Sequence, residues 1–173
     1  LHWQLVVPKL VGDIYLDWPE AGICSPPSVE GDRVYIVTNR AEVLCLDLQG
    51  QHDGNDGPYV AEGDYQTPEG ESPVGIGSLD ADILWRFDMP AEVGVYPHDS
   101  AHSSILIDGR YLYLNTGNGV DNTHRKIRKP EAPSLIVLDK RTGQLVATDQ
   151  ERIGPRIFHA TWSSPALGDV DGR

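Results

Sequence analysis

Basic residues, cysteine, methionine and long apolar runs are all scarce in this chain. Its 173 residues hold 14 lysines and arginines against 26 acidic residues, a formal charge of −12. That balance excludes a nucleic-acid backbone or an anionic membrane as the main partner, because both require a basic patch. No run approaches the ~18 apolar residues of a spanning helix, and no charged-then-apolar leader opens the sequence. There is one methionine, and apolar residues at helical spacing are hard to find. Catalytic signatures are missing too. There is no Gly-x-Ser-x-Gly elbow, no phosphate-binding loop, no Gly-x-Gly-x-x-Gly opening a helix and no His-Glu-x-x-His.

What remains is 39% hydrophobic residues, with 18 glycines and 13 prolines spread as punctuation. Short β-branched or aromatic runs lie between Gly, Asp, Asn and Pro, which reads as strands and turns. Ser28-Val29 leads through Glu30-Gly31-Asp32 into a strand at 33–38, and Glu42 to Asp47 forms a third. The pattern returns with 104–107, the turn Asp108-Gly109, a strand at 110–115 and another at 134–139. Near-continuous apolar runs in these strands fit sheets buried on both faces.

The repeat is wider than the hairpins. Trp3, Pro8, Val11 and Gly12 match Trp85, Pro90, Val93 and Gly94 at a single offset, 85 − 3 = 82. The hairpins align at 112 − 34 = 78 and the third strands at 138 − 46 = 92, so loops of different length separate the units. Four antiparallel strands per unit, repeated, predict an all-β fold built as a β-propeller of four-stranded blades. A β-sandwich is the competing fold. The expected division places the end of a preceding blade at 1–12. One blade spans 24–88 with an acidic insertion at 48–82, and a second spans 102–149 with a basic insertion at 117–133. The start of a further blade falls at 159–173. A propeller closes with four or more blades, so the expected partners are the remaining blades or other copies of the chain. Both insertions are expected to be the most mobile segments.

The phrase Leu138-Asp139-Lys140-Arg141-Thr142-Gly143-Gln144-Leu145 resembles the Asp-x-x-Thr-Gly turn of the quinoprotein alcohol dehydrogenase-like, or PQQ-like, β-propellers. The strand phrase Gly31-Asp32-Arg33-Val34-Tyr35-Ile36-Val37 and the opening Trp162-Ser163-Ser164-Pro165 are also similar to that family. The resemblance implies that Asp139, Thr142 and Gly143 close the hairpin between third and fourth strands. It also implies that a Trp four residues after the Gly docks between blades. Position 147 is Ala, so the second unit lacks that ring, whereas Trp85 supplies it in the first. In the first unit the Thr-Gly turn is expected to be replaced by the insertion. Trp3, Trp85 and Trp162 are expected to be buried between neighbouring sheets.

The family holds enzymes and scaffolds, so the resemblance fixes no activity. The expected function is a non-enzymatic binding or scaffold module, periplasmic or extracellular, presenting loops to a protein or carbohydrate. The alternative is a fragment of a quinone-dependent oxidoreductase. No cofactor is expected in this chain alone. Quinone chemistry needs a full ring of blades, and the adjacent-Cys pair of many such dehydrogenases is missing.

Two groups of residues have metal-ligand chemistry. Asp53, Asn55 and Asp56 offer oxygen ligands at close spacing as calcium candidates, without the alternation or distal Glu of an EF-hand; the competing reading is a solvated acidic loop. Asp169 and Asp171 read as a turn. His98 and His102 make an H-x₃-H pair, His124 lies in the basic insertion, and His159 stands in the same relation to its blade opening as Asp99 or Ser100, so that such residues are expected to line one end of the propeller near its channel. Pro97 argues against a helix there, so these histidines are read as turn and channel hydrogen-bonding residues rather than zinc ligands. Cys24 and Cys45 are placed on first and third strands, ~10 Å apart, too far for a disulfide, and both are expected to be buried free thiols.

Overall fold

The computed structural model describes residues 1–12 and 20–171. Among these residues, eight strands form two four-stranded antiparallel sheets, each ordered as in the chain. The first holds β1 (Ser28–Glu30), β2 (Arg33–Val37), β3 (Glu42–Asp47) and β4 (Ile83–Asp88). The second holds β5 (Leu106–Asp108), β6 (Tyr111–Asn115), β7 (Leu135–Asp139) and β8 (Leu145–Thr148). Two short helices, α1 (Glu62–Tyr65) and α2 (Met89–Val93), lie outside the sheets. The first belongs to the acidic insertion. The second starts where the Asp88 carboxylate accepts the Ala91 N–H.

The registers repeat. Tyr35 pairs with Cys45, which pairs with Trp85. In the second sheet Tyr113 pairs with Val137, which pairs with Ala147. Val34–Leu46 is likewise matched by Leu112–Leu138. Both sheets bulge at the same point of the third-to-fourth strand pairing, between Cys45 and Leu46 and between Val137 and Leu138. A side-chain clamp is also copied: the Ser25 hydroxyl donates to the Val37 carbonyl, and the Ser103 hydroxyl accepts the Asn115 N–H.

Side chains alternate across a strand, so each sheet has two faces, and the two sheets meet by unlike faces. Tyr35, Val37, Val43, Cys45, Trp85 and Phe87 of the first pack with Leu112, Leu114, Ile136 and Leu138 of the second. The opposite face of the first sheet, with Val34, Leu44, Leu46 and Ile83, packs under Trp3, Leu5, Val7, Tyr59 and Tyr65. Every residue of β3 is therefore buried. The opposite face of the second sheet has no such cover among the described residues. Tyr111, Tyr113, Leu135 and Val137 are half-buried, and Ala147, the partner of Val137, is exposed.

The structure differs from expectation in the insertions and one thiol. Segment 48–82 is anchored rather than loose. The Tyr65 hydroxyl donates to Glu42 at 2.7 Å, and Glu42 also takes Arg86 at 2.7 Å. Tyr65 also lies under the Arg40 guanidinium. Large aromatics inside an insertion bury apolar area like any core residue, which their sparse spacing hides. Residues 117–120 are buried as well. Both cysteines are free, but only Cys45 is buried. Cys24 precedes β1, on no strand, so the sheet does not cover it. Segment 159–171 forms no strand, and positions 172–173 of the expected final turn lie outside the described residues.

Candidate metal centre

Past the end of β6, four short pieces of chain run side by side. Pro97 bridges Asn118, Gly119 bridges Ala160, and Val120 bridges Ile127. The His98 N–H donates to the Gly117 carbonyl, Gly119 N–H to Tyr96, Val120 N–H to His159, and Thr161 N–H to Asn118. The Asn118 side chain ties this crossing together. Its carboxamide oxygen takes the Tyr96 N–H at 2.9 Å and its amide donates to Lys129 at 2.9 Å. Gly119 stands in the middle because nothing larger fits. A Cβ there would lie 2.5 Å from the His159 carbonyl oxygen and 2.9 Å from the His98 Cβ.

This crossing places His98 beside His159, their ring centres 4.5 Å apart. His124 joins from the basic insertion, 4.6 Å from His98 and 5.1 Å from His159. Its loop is built around Asp121, whose Oδ1 accepts from the Thr123 hydroxyl at 2.7 Å and from the Thr123, Arg125 and Lys126 N–H groups. The Thr123 hydroxyl, joined by those N–H groups, holds the Asp121 carboxyl below its usual range. His124 sits at φ 57°, in the left-handed region that non-glycine residues seldom adopt.

One ring nitrogen of each histidine falls in a group whose members all lie within 4.8 Å of one another. His98 is buried, His159 half-buried and His124 exposed. The His98 Nδ1 faces the Val120 carbonyl at 3.0 Å. A carbonyl only accepts, so this nitrogen carries a proton, and in the neutral ring Nε2 carries the lone pair. Asp99 Oδ1 lies 3.6 Å from that Nε2. Trp162 walls the cluster, stacked on His98 with ring centres 5.9 Å apart and edge-on to His159 at 4.8 Å. The indole N–H is fixed on the His98 carbonyl at 3.0 Å.

The arrangement sorts the residues named from sequence. His102 is not in the compact group; it meets Trp162 edge-on with ring centres 5.4 Å apart, and burial lowers its pKa while Asp99 opposes. Trp162 lies with the histidines, not between the two sheets. Among the described residues no compact carboxylate group contains Asp53 or Asp56. The Asn55 amide is spent on Glu62, and the Asp56 N–H is held by Asp82. The sequence brings His98 and His159 to one end of the expected propeller, but their direct contact is not legible in it, because single-residue bridges, which leave no periodic pattern, make it.

The turns hold the other named residues. Asp139 Oδ1 accepts from the Arg141 and Thr142 N–H groups, and the Thr142 hydroxyl accepts from the Gln144 N–H. Trp85 lies over Gly143 and donates its indole N–H to the Lys140 carbonyl at 3.2 Å. Trp3 repeats this one sheet earlier: it lies over Gly50 and donates to the Leu48 carbonyl at 2.8 Å. Asp47 accepts from the Gln49 N–H as Asp139 does from Arg141. The first unit thus keeps the Asp and Gly of the turn, and its insertion begins after Gly50.

No family model matches the chain, and no curated protein matches it. Among solved structures, the computationally designed Ika4 protein is similar at 14% identity over 98% of this chain and 89% of that one, with a TM-score of 0.27. A likeness that distant carries no argument about fold or function.

Proposed function

We propose that the chain is a stretch of a PQQ-like β-propeller that works as a non-enzymatic binding or scaffold module outside the cytoplasm. The observation behind this reading is the stacking of unlike faces with a Trp seated on the next sheet's turn, once at Trp85 on Gly143 and once at Trp3 on Gly50. A sandwich packs two inner faces and leaves two polar outer ones. Here one face of the first sheet meets the opposite face of the second, a head-to-tail contact of the kind that propagates until rotation closes a ring. The half-buried face of Tyr111, Tyr113, Leu135 and Val137 then receives a further sheet, from the same polypeptide or from another copy. The loops at 48–82 and 117–133 are the surfaces offered to a protein or carbohydrate ligand.

Electron microscopy of the native particle, with its mass from light scattering, tests this. The expected image is a ring of at least four blades around a channel. Adding quinone with calcium should leave no bound chromophore. A compact two-sheet monomer with no ring would overturn the propeller, and a stoichiometric quinone complex would overturn the scaffold role.

A further inference from the structure

We propose that His98, His124 and His159 bind one Zn(II) ion, which clasps the 117–133 insertion to the segment after the second sheet. The inference concerns this crossing alone and does not depend on the number of blades. Three imidazoles from three distant chain positions converge with their ligand atoms within 4.8 Å. Zinc–imidazole bonds of about 2.0–2.1 Å in a tetrahedron put ligand nitrogens roughly 3.4 Å apart. Small ring rotations therefore close the group onto the ion. Neutral nitrogen donors suit zinc and its transition-metal neighbours and do not suit calcium or magnesium, which take oxygen.

The surroundings already have the form of a metal's outer shell. The Val120 carbonyl holds His98 Nδ1–H and aims the Nε2 lone pair, as carbonyls do behind ligating histidines. Asp99 Oδ1 is buried without a hydrogen bond, 3.6 Å from Nε2, and places negative charge beside a cation. Asp99 and His124 both sit at positive φ, 64° and 57°. Strained backbone at two neighbouring positions of one cluster is the pattern expected where geometry is held for a ligand. Trp162 supplies an apolar wall on one side, and the exposure of His124 leaves an entry path on the other. Three protein nitrogens leave a fourth position for water.

The test uses the purified chain, stripped by chelator and titrated with Zn(II), Co(II) or Cu(II). The expected result is one zinc per chain after dialysis, a raised Tm, and visible Co(II) bands of tetrahedral intensity that zinc displaces. Zinc should also slow protease cleavage within 121–129. His124→Ala, in an exposed loop, should keep the circular dichroism spectrum and lose at least tenfold in zinc affinity together with the protease protection. His159→Gln should do the same, while His52→Ala, at an exposed histidine of the 48–82 insertion outside the group, should change nothing. Absence of bound zinc, binding that survives His124→Ala, or retention of Cu(II) alone would overturn the assignment.

Discussion

The two thiols show how far position outweighs residue type. Cys45 lies in the middle of a strand covered on both faces, and burial pushes its pKa up to about 12, with Arg33 opposing. Cys24 is exposed. A thiol-specific reagent at pH 8 should therefore react quickly with one sulfhydryl per chain, and Cys24→Ser should abolish that phase. Cys45 should appear only in denaturant. Two fast equivalents would contradict the packing of β3. Asp139 makes a second residue-level case. Burial works against its carboxylate, but the Arg141 N–H, Arg110 and the Thr142 N–H outweigh it and hold the group below its usual range. A folded-state value below the unfolded one gives stability that is complete above the ordinary value and is lost as pH falls through the depressed one. Asp139→Ala should cost about 1–2 kcal/mol at pH 7 through the orphaned turn N–H groups. Urea melts of both proteins should converge as the pH drops below 4, and a gap that stayed constant into acid would refute the charge's role.

At the scale of elements, the strands were legible because β-branched runs between turn residues carry a period-two signal that helices do not share. The Trp3–Trp85 correspondence was legible as well, since four matches at one offset survive any loop. The turn at Gly50 was not, because Gln49 stands before the Gly where the other turn has Thr142, and the insertion that follows breaks the alignment. The histidine crossing was not either, since it rests on isolated bridges and on one glycine's lack of a side chain. The H-x₃-H pair drew attention to His102, the one member that stays outside. The seat of Trp85 on Gly143 gives the sharpest test of an element. A Cβ at Gly143 would lie 2.5 Å from the indole, at a backbone φ of 71°. Gly143→Ala should destabilise on both counts, and Trp85→Ala by about 3–5 kcal/mol. In the double variant the steric part of the glycine's cost vanishes, so the two effects should add to less than their sum. Strict additivity in chemical denaturation would mean that the ring does not rest on the turn.

The whole molecule is asymmetric in a way that separates stacking from simple burial. Cys45 and Val137 occupy the same place in their sheets, each paired between a tyrosine and the fourth strand. Cys45 is covered by the second sheet, and Val137 is half-buried on the face that no described segment covers. An unpaired ammonium in a dry interior costs more than a small domain's stability allows. Cys45→Lys should therefore yield no folded protein. Val137→Lys should fold, because the lysine can reach water along its flexible stem. If that face receives another blade, the same substitution should break the assembly, since it sets a charge in the centre of the contact. Sedimentation velocity reads the outcome directly: the wild-type chain in its native particle should run as the larger species, and Val137→Lys as smaller units with an unchanged β-sheet spectrum. Val137→Lys particles of wild-type size would mean that the exposed face of the second sheet is an ordinary solvent surface, and that the head-to-tail stacking ends where the second sheet does.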